Sequence, residues 1–129
     1  MSNTKLRLSL LPELFAVCQL NPGTAIPDWA VKSPFFSITR TADELSIVCQ
    51  QGTLPVDVKA ERDWRCLQVE GPLDFALTGI LAMLTTPLAE ANICIFAIAT
   101  FDTDYLLIKE TAIESAIKTL RAAGHTINS

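Results

Sequence analysis

The run Ile93-Cys94-Ile95-Phe96-Ala97-Ile98-Ala99-Thr100-Phe101-Asp102-Thr103-Asp104-Tyr105-Leu106-Leu107-Ile108-Lys109 decides the fold. Ile93 to Thr100 is rich in Ile, Phe and Ala and reads as a central strand; Tyr105 to Lys109 reads as a second strand. Between them, Phe101-Asp102-Thr103-Asp104 carries short side chains that bond their own backbone, so the stretch reads as a hairpin. The apolar part is far shorter than the roughly 20 residues a membrane-spanning helix needs.

Downstream, Thr111 and Glu114 have the spacing of a capping box. Ile113, Ala116, Ile117 and Leu120 form one apolar helix stripe, Gly124 supplies the stop, and Thr126-Ile127 makes a last short strand. Upstream, Trp64 to Glu70 alternates as a half-buried strand that Gly71-Pro72 breaks. Leu77, Ile80, Leu81, Leu84 and Leu88 then follow helical spacing, with Thr78 as the cap. Gly79 costs a helix about 1 kcal/mol against Ala, which points to a close backbone approach there. Pro87 has no N–H to give, so the helix is expected to end near residue 86. Residues 64–128 thus read β-α-β-β-α-β, the ferredoxin-like arrangement.

The first half repeats part of this. Leu6 to Leu10 and Leu14 to Leu20 read as strands, and Lys5 and Arg7 ahead of an alternating Leu6/Leu8/Leu10 suit a strand better than a signal peptide. Ile26 to Val31 holds only a short helix between Pro27 and Pro34. Phe36 to Arg40 and Leu45 to Gln50 pair as a hairpin. A slide of 60 residues lays Phe36 on Phe96, Ile38 on Ile98, Leu45 on Tyr105 and Ile47 on Leu107, the mark of an internal duplication. The expectation is an α+β chain of two tandem ferredoxin-like units, residues 1–62 and 63–129, the first with reduced helices. Neither has a full core alone.

Composition narrows the function. Half the residues are apolar and 19% are charged, with a net charge of −4. Clustered Lys and Arg, which binding to a phosphate backbone requires, are missing, so nucleic acid is not an expected partner. Cys18, Cys49, Cys66 and Cys94 form no C-x-x-C pair and each sits in an apolar segment, as reduced core residues of a cytosolic protein do. His125 is the only histidine, which argues against a zinc site and against Cys–His catalysis. The chain carries no G-x-S-x-G, P-loop, G-x-G-x-x-G after a strand, or H-E-x-x-H. Neither an enzyme nor a cofactor-binding protein is expected.

Residues 64–128 resemble an ACT domain, the small ligand-binding module of amino-acid-regulated enzymes. The resemblance rests on Thr78-Gly79-Ile80-Leu81 at a helix start, on Pro87 to Ile93 before the second strand, and on Ala99 to Leu107. The segment Thr100 to Leu107 is similar to the regulatory modules of aspartate kinases. With its shortened first unit, the chain resembles small bacterial tandem-ACT proteins related to the animal cytosolic arginine sensor. The resemblance implies a non-catalytic, amino-acid-binding regulatory protein whose ligand lies where two ACT units meet. Such a site takes Asp74, Leu77, Ile80, Leu81, Thr100, Phe101 and Asp104 from one unit, and Cys94 and Ile95 from its partner. Two units per chain, against four in the sensor, imply that a homodimer completes the site. Leu77 stands where the sensor carries an acid, which argues against arginine itself.

Elementary chemistry supports such a site. A free amino acid carries a carboxylate, which suits the unpaired N–H groups of Gly79, Ile80 and Leu81 at a helix start. It also carries an ammonium, which suits Asp104 at the hairpin mouth and the carbonyls near Thr100 and Phe101. Each residue also has a plainer reading: Asp102 and Asp104 as turn residues, Gly79 as a packing residue, Phe101 as part of the hairpin, Asp74 as a cap. Trp29 and Trp64 read as packing residues. The competing function is an adaptor whose ACT-like edges dimerise or dock a regulated protein without any ligand.

Overall fold

A computed structural model describes residues 5–71 and 79–129. Two compact units are present: Glu13–Trp64, and Met1–Pro12 together with Arg65–Ser129. The chain passes between them twice, after Pro12 and, inside β5 (Ala60–Val69), after Trp64. This differs from a division at 62/63 chiefly in the placement of the first strand, which packs with the later unit.

The Glu13–Trp64 unit holds β2 (Phe15–Leu20), β3 (Phe36–Arg40), β4 (Leu45–Gln50) and the first part of β5 (Ala60–Val69), side by side in the order β3-β4-β2-β5. β3 and β4 have the bounds that their alternation dictates. Ala16, Cys18, Ala30, Leu45, Ile47, Cys49 and Leu54 make its core. Helical cover is reduced to 3₁₀ turns at Asp28–Val31 and Gln51–Thr53. Trp29 packs against this core, and Trp64 is buried with its indole N–H donating to the Glu61 carbonyl at 3.1 Å. Both tryptophans are packing residues.

The other unit holds β1 (Arg7–Leu10), the second part of β5, α1 (Ile80–Glu90), β6 (Phe96–Ala99), β7 (Asp104–Lys109), α2 (Ile113–Ala122) and β8 (Thr126–Asn128). β5 lies between β7 and β1, β8 lies beyond β1, and β6 lies beyond β7. β1 runs antiparallel to β5 and parallel to β8. With β1 set aside, both units show the ferredoxin-like order: in each, the first strand lies between the third and the fourth, and the second is on the outside.

Leu8, Leu67, Val69, Leu84, Leu88, Leu106, Ile108, Ala116 and Leu120 are fully buried in one cluster. It includes the α2 stripe, which the sequence spacing anticipates. Gly124 ends α2 at φ 100, and the His125 N–H closes the turn onto the Leu120 carbonyl at 3.1 Å.

Five local expectations are corrected. Pro87 lies inside α1, which continues to Glu90. Leu84 and Leu88 are both fully buried on its inner face, and burying a leucine returns about 1.5–3 kcal/mol, comparable with the cost of an interior proline. The helix stops instead at Asn92 (φ 60), where the Ile93 N–H reaches the Leu88 carbonyl at 2.9 Å. No capping box forms, because Glu110–Ala112 coils into a 3₁₀ turn and makes Ala112, which has no side-chain cap, the first boundary residue of α2. β6 is an edge strand rather than a central one: among the described residues it pairs only with β7, while Ile93 and Ile95 pack on the core ahead of it. Cys94 is exposed, unlike the three buried cysteines. Finally, the hairpins repeat at an offset of 59 residues rather than 60. Arg40 faces Leu45 across the first turn, and Ala99 faces Asp104 across the second.

His125 ties β1 to the end of α2. Its side chain is buried, and its Nδ1 accepts the Leu6 backbone N–H at 3.1 Å. The imidazole therefore carries its proton on Nε2. His125→Ala strands that buried N–H and is expected to cost about 1–3 kcal/mol. Urea unfolding measures it, and a variant as stable as the parent would show that the contact contributes nothing.

Candidate functional site

The offset of 59 superposes two turns of the same chemistry. The Thr41 N–H donates to the Glu44 carbonyl at 2.9 Å, and the Thr100 N–H to the Thr103 carbonyl at 2.8 Å. In each, the threonine hydroxyl accepts the N–H of the residue three further on, at 3.2 Å from Glu44 and 3.3 Å from Thr103. The repeat is thus preserved in backbone hydrogen bonding, where Thr-Ala-Asp-Glu and Thr-Phe-Asp-Thr share only Thr and Asp.

The two turns differ in what they present. Ala42 occupies the place of Phe101, which stands 80% exposed. Leu45, fully buried, occupies the place of Asp104, which is half-buried at the mouth of β7. The first turn therefore offers no carboxylate where the second offers one. The later turn is also anchored: Thr103 is buried and its hydroxyl donates to the Val69 carbonyl at 2.6 Å, pinning the tip beside the end of β5. Thr103 was not singled out from the sequence. The repeated threonine at 41 and 100 signals the turn type but not this burial, since Glu44, the equivalent residue of the first turn, is only half-buried.

Gly79 precedes α1 at φ 75, a left-handed conformation that glycine adopts without strain. Among the described residues a Cβ built on it meets nothing within 4 Å, so they offer no close approach and its role there is conformational. The backbone N–H groups that open α1 have no helical partner. Ile80 is buried in the core, and Leu81 is 37% exposed on the adjacent face. Asp74, Leu77 and Thr78 lie outside the described residues.

Cys94 (exposed) and Ile95 (half-buried) lead into β6. They sit at one end of that strand and the Thr100–Thr103 turn sits at the other, five residues away, which at strand rise is about 16 Å. A single chain therefore gathers Thr100, Phe101 and Asp104 in one turn but does not bring Cys94 and Ile95 to them. Among the described residues no group of three or more His, Cys, Asp or Glu is placed to hold a metal ion, and no helix is long and apolar enough to cross a membrane.

Two tandem ferredoxin-like units of this strand order, the later one carrying a fixed hairpin turn, define an α+β module of the ferredoxin-like class. The family model for the ACT domain matches residues 59–122, and a second model, of an N-terminal domain, matches residues 13–57. Residues 59–122 belong to the ACT-domain family. It is 41% identical over 59 residues to the human cytosolic arginine sensor for mTORC1 subunit 1, a match covering 45% of this chain and 18% of the sensor. With the mouse sensor it is 32% identical over 96 residues, covering 68% of this chain and 29% of the sensor. The chain thus spans less than a third of those relatives. A crystal structure of an Agobacterium tumefaciens protein superposes with a TM-score of 0.91 at 39% identity, covering 96% of this chain and 92% of that one. The regulatory subunit of aspartate kinase from Thermus flavus has the same fold, with a TM-score of 0.62 at 13% identity over 90% of this chain and 95% of that one.

Proposed function

We propose that this protein is a non-catalytic regulatory module that binds a free amino acid between two copies of itself. The observation that carries the reading is the place of β6, which among the described residues pairs only with β7, with Cys94 and Ile95 at one end and the Thr100–Thr103 turn at the other. An antiparallel pairing of two β6 edges sets the start of each strand against the end of its partner. Cys94 and Ile95 of one copy then meet Thr100 and Phe101 of the other. Such an edge, short, apolar and free of charge (Phe96-Ala97-Ile98-Ala99), invites pairing. Phe101, exposed in one chain, gains a cover.

In that arrangement the ligand carboxylate takes the free N–H groups at the start of α1. The ammonium takes Asp104 and the carbonyls of the turn. The kinship with an arginine sensor supports an amino acid as the ligand class. Asp74 and Leu77 complete the set as side-chain discriminators. A cytosolic location and a regulated protein partner belong to the same reading, with coupling supplied by a difference in ligand affinity between two states of the dimer.

Thermal unfolding against each standard amino acid at several millimolar tests this. A ligand at 100 times its Kd adds roughly 2.7 kcal/mol, which is several degrees for a chain of this size. A selective rise supports the sensor and names its ligand class. A flat panel from a stable dimer would favour the adaptor, in which the same edge joins copies without a ligand.

A further inference from the structure

A different feature stands in the other unit. Cys18 on β2 and Cys49 on β4 lie on neighbouring antiparallel strands, with Cys18 opposite Ile47 and Cys49 opposite Ala16. They are therefore diagonal neighbours on one face of the sheet. Both are buried in the same apolar cluster, at 2% and 0% exposure. Both are free thiols within hydrogen-bonding reach of one another. The Cys18 S–H points along the strand pair and donates to the Ile47 carbonyl at 3.4 Å. Neither Cys66 nor Cys94 shares this cluster.

We propose that Cys18 and Cys49 are a dithiol that a small peroxide converts reversibly into a disulfide, a modification site distinct from the candidate ligand site. In the first step one thiol sulfur is oxidised by the peroxide to a sulfenic acid while the O–O bond breaks and water leaves. In the second, the other thiol attacks the sulfenic sulfur, the S–S bond forms, and a second water leaves with its proton. Two electrons and two protons pass from the thiols to the peroxide. A dithiol reductant reverses the change by exchange.

The surroundings assign the roles. Contact with the Cys49 sulfur and burial both push the Cys18 thiol up, whereas contact with Cys18 lowers Cys49. Cys49 is therefore the sulfur that meets the peroxide, and Cys18 resolves it. Cys49 lies one residue before the end of β4, close to the Gln51–Thr53 turn, where Thr53 is half-buried and Gly52 is exposed. The bond closes the loop from Cys18 to Cys49 and restricts the unfolded chain, so oxidation raises the thermal midpoint.

The test uses the full reduced chain treated with hydrogen peroxide, quenched, denatured and alkylated with N-ethylmaleimide. Lys32 and Arg40 lie between the two cysteines, so trypsin places them on separate peptides. The expected result is a cross-linked peptide pair containing Cys18 and Cys49, a protein two hydrogens lighter that takes up two alkyl groups fewer, and return to the starting mass with dithiothreitol. A Cys94→Ser variant keeps the cross-link and a Cys49→Ser variant loses it. The wild-type map decides the matter even where a variant does not fold. Full alkylation of Cys18 and Cys49 after peroxide, with oxidation confined to the exposed Cys94, overturns the proposal.

Discussion

Leu84→Ala is expected to remove about 2–5 kcal/mol of stability, a large part of the roughly 5–15 kcal/mol that holds a domain together. Leu84 is fully buried in α1 and shares its cluster with Leu8, Leu67, Leu106 and Leu120. Truncation forfeits the transfer of its methyl and methylene groups out of water. It also leaves a cavity between α1 and the strands that neighbouring leucines fill only in part. Leu81 sits three residues earlier on the same helix and is 37% exposed. Leu81→Ala is expected to cost less, about 1 kcal/mol, since 37% of its surface stays in water. Denaturant unfolding of the two variants reads the difference directly. Equal losses would mean that α1 is not seated through the face that carries Ile80, Leu84 and Leu88.

The same residues show which parts of the fold were legible from sequence. Periodicity is a local signal, and it placed β3, β4 and the α2 stripe, because each buries one face against a single layer. It failed where tertiary contacts outvoted a local rule. Pro87 would end an isolated helix, yet Leu84 and Leu88 hold α1 in place on both sides of it. The apolar richness of Ile93 to Ala99 suggested a central strand. Richness reports burial and not position in a sheet, and here Ile93 and Ile95 spend it on the core before the strand begins. Alternation marked β1 as a strand but not its place in the sheet, since nothing in Leu6/Leu8/Leu10 says that its partners lie near residues 67–69 and 126–128. The Thr100–Thr103 turn was legible from its composition. Its anchoring through Thr103 was not, because a buried hydroxyl with a carbonyl partner looks in sequence like any turn threonine.

Asp104→Ala is expected to weaken amino-acid binding by about 10- to 150-fold, the equivalent of about 1.5–3 kcal/mol for a hydrogen bond to a charged group. Asp104 is half-buried, and no hydrogen bond of its carboxylate is recorded among the described residues, so the variant should unfold within about 0.5 kcal/mol of the parent. Asp104→Asn sharpens the reading, because it keeps the shape and removes the charge; an ammonium contact loses affinity in both variants. Thr103→Val is the complementary change. It deletes the hydroxyl that donates to the Val69 carbonyl and leaves that buried acceptor unpaired, which is expected to cost about 1–3 kcal/mol of stability. It also lets the tip drift from the end of β5, so affinity falls together with stability. A binding role for Asp104 thus predicts two different patterns at adjacent positions: affinity lost with stability kept at 104, and both lost at 103. Calorimetric titration with the amino acid that raises the thermal midpoint, alongside urea unfolding, separates them. Undiminished binding by Asp104→Asn would remove the ammonium contact from the site and leave the carbonyls of the turn, near Thr100 and Phe101, as the acceptors the ligand uses.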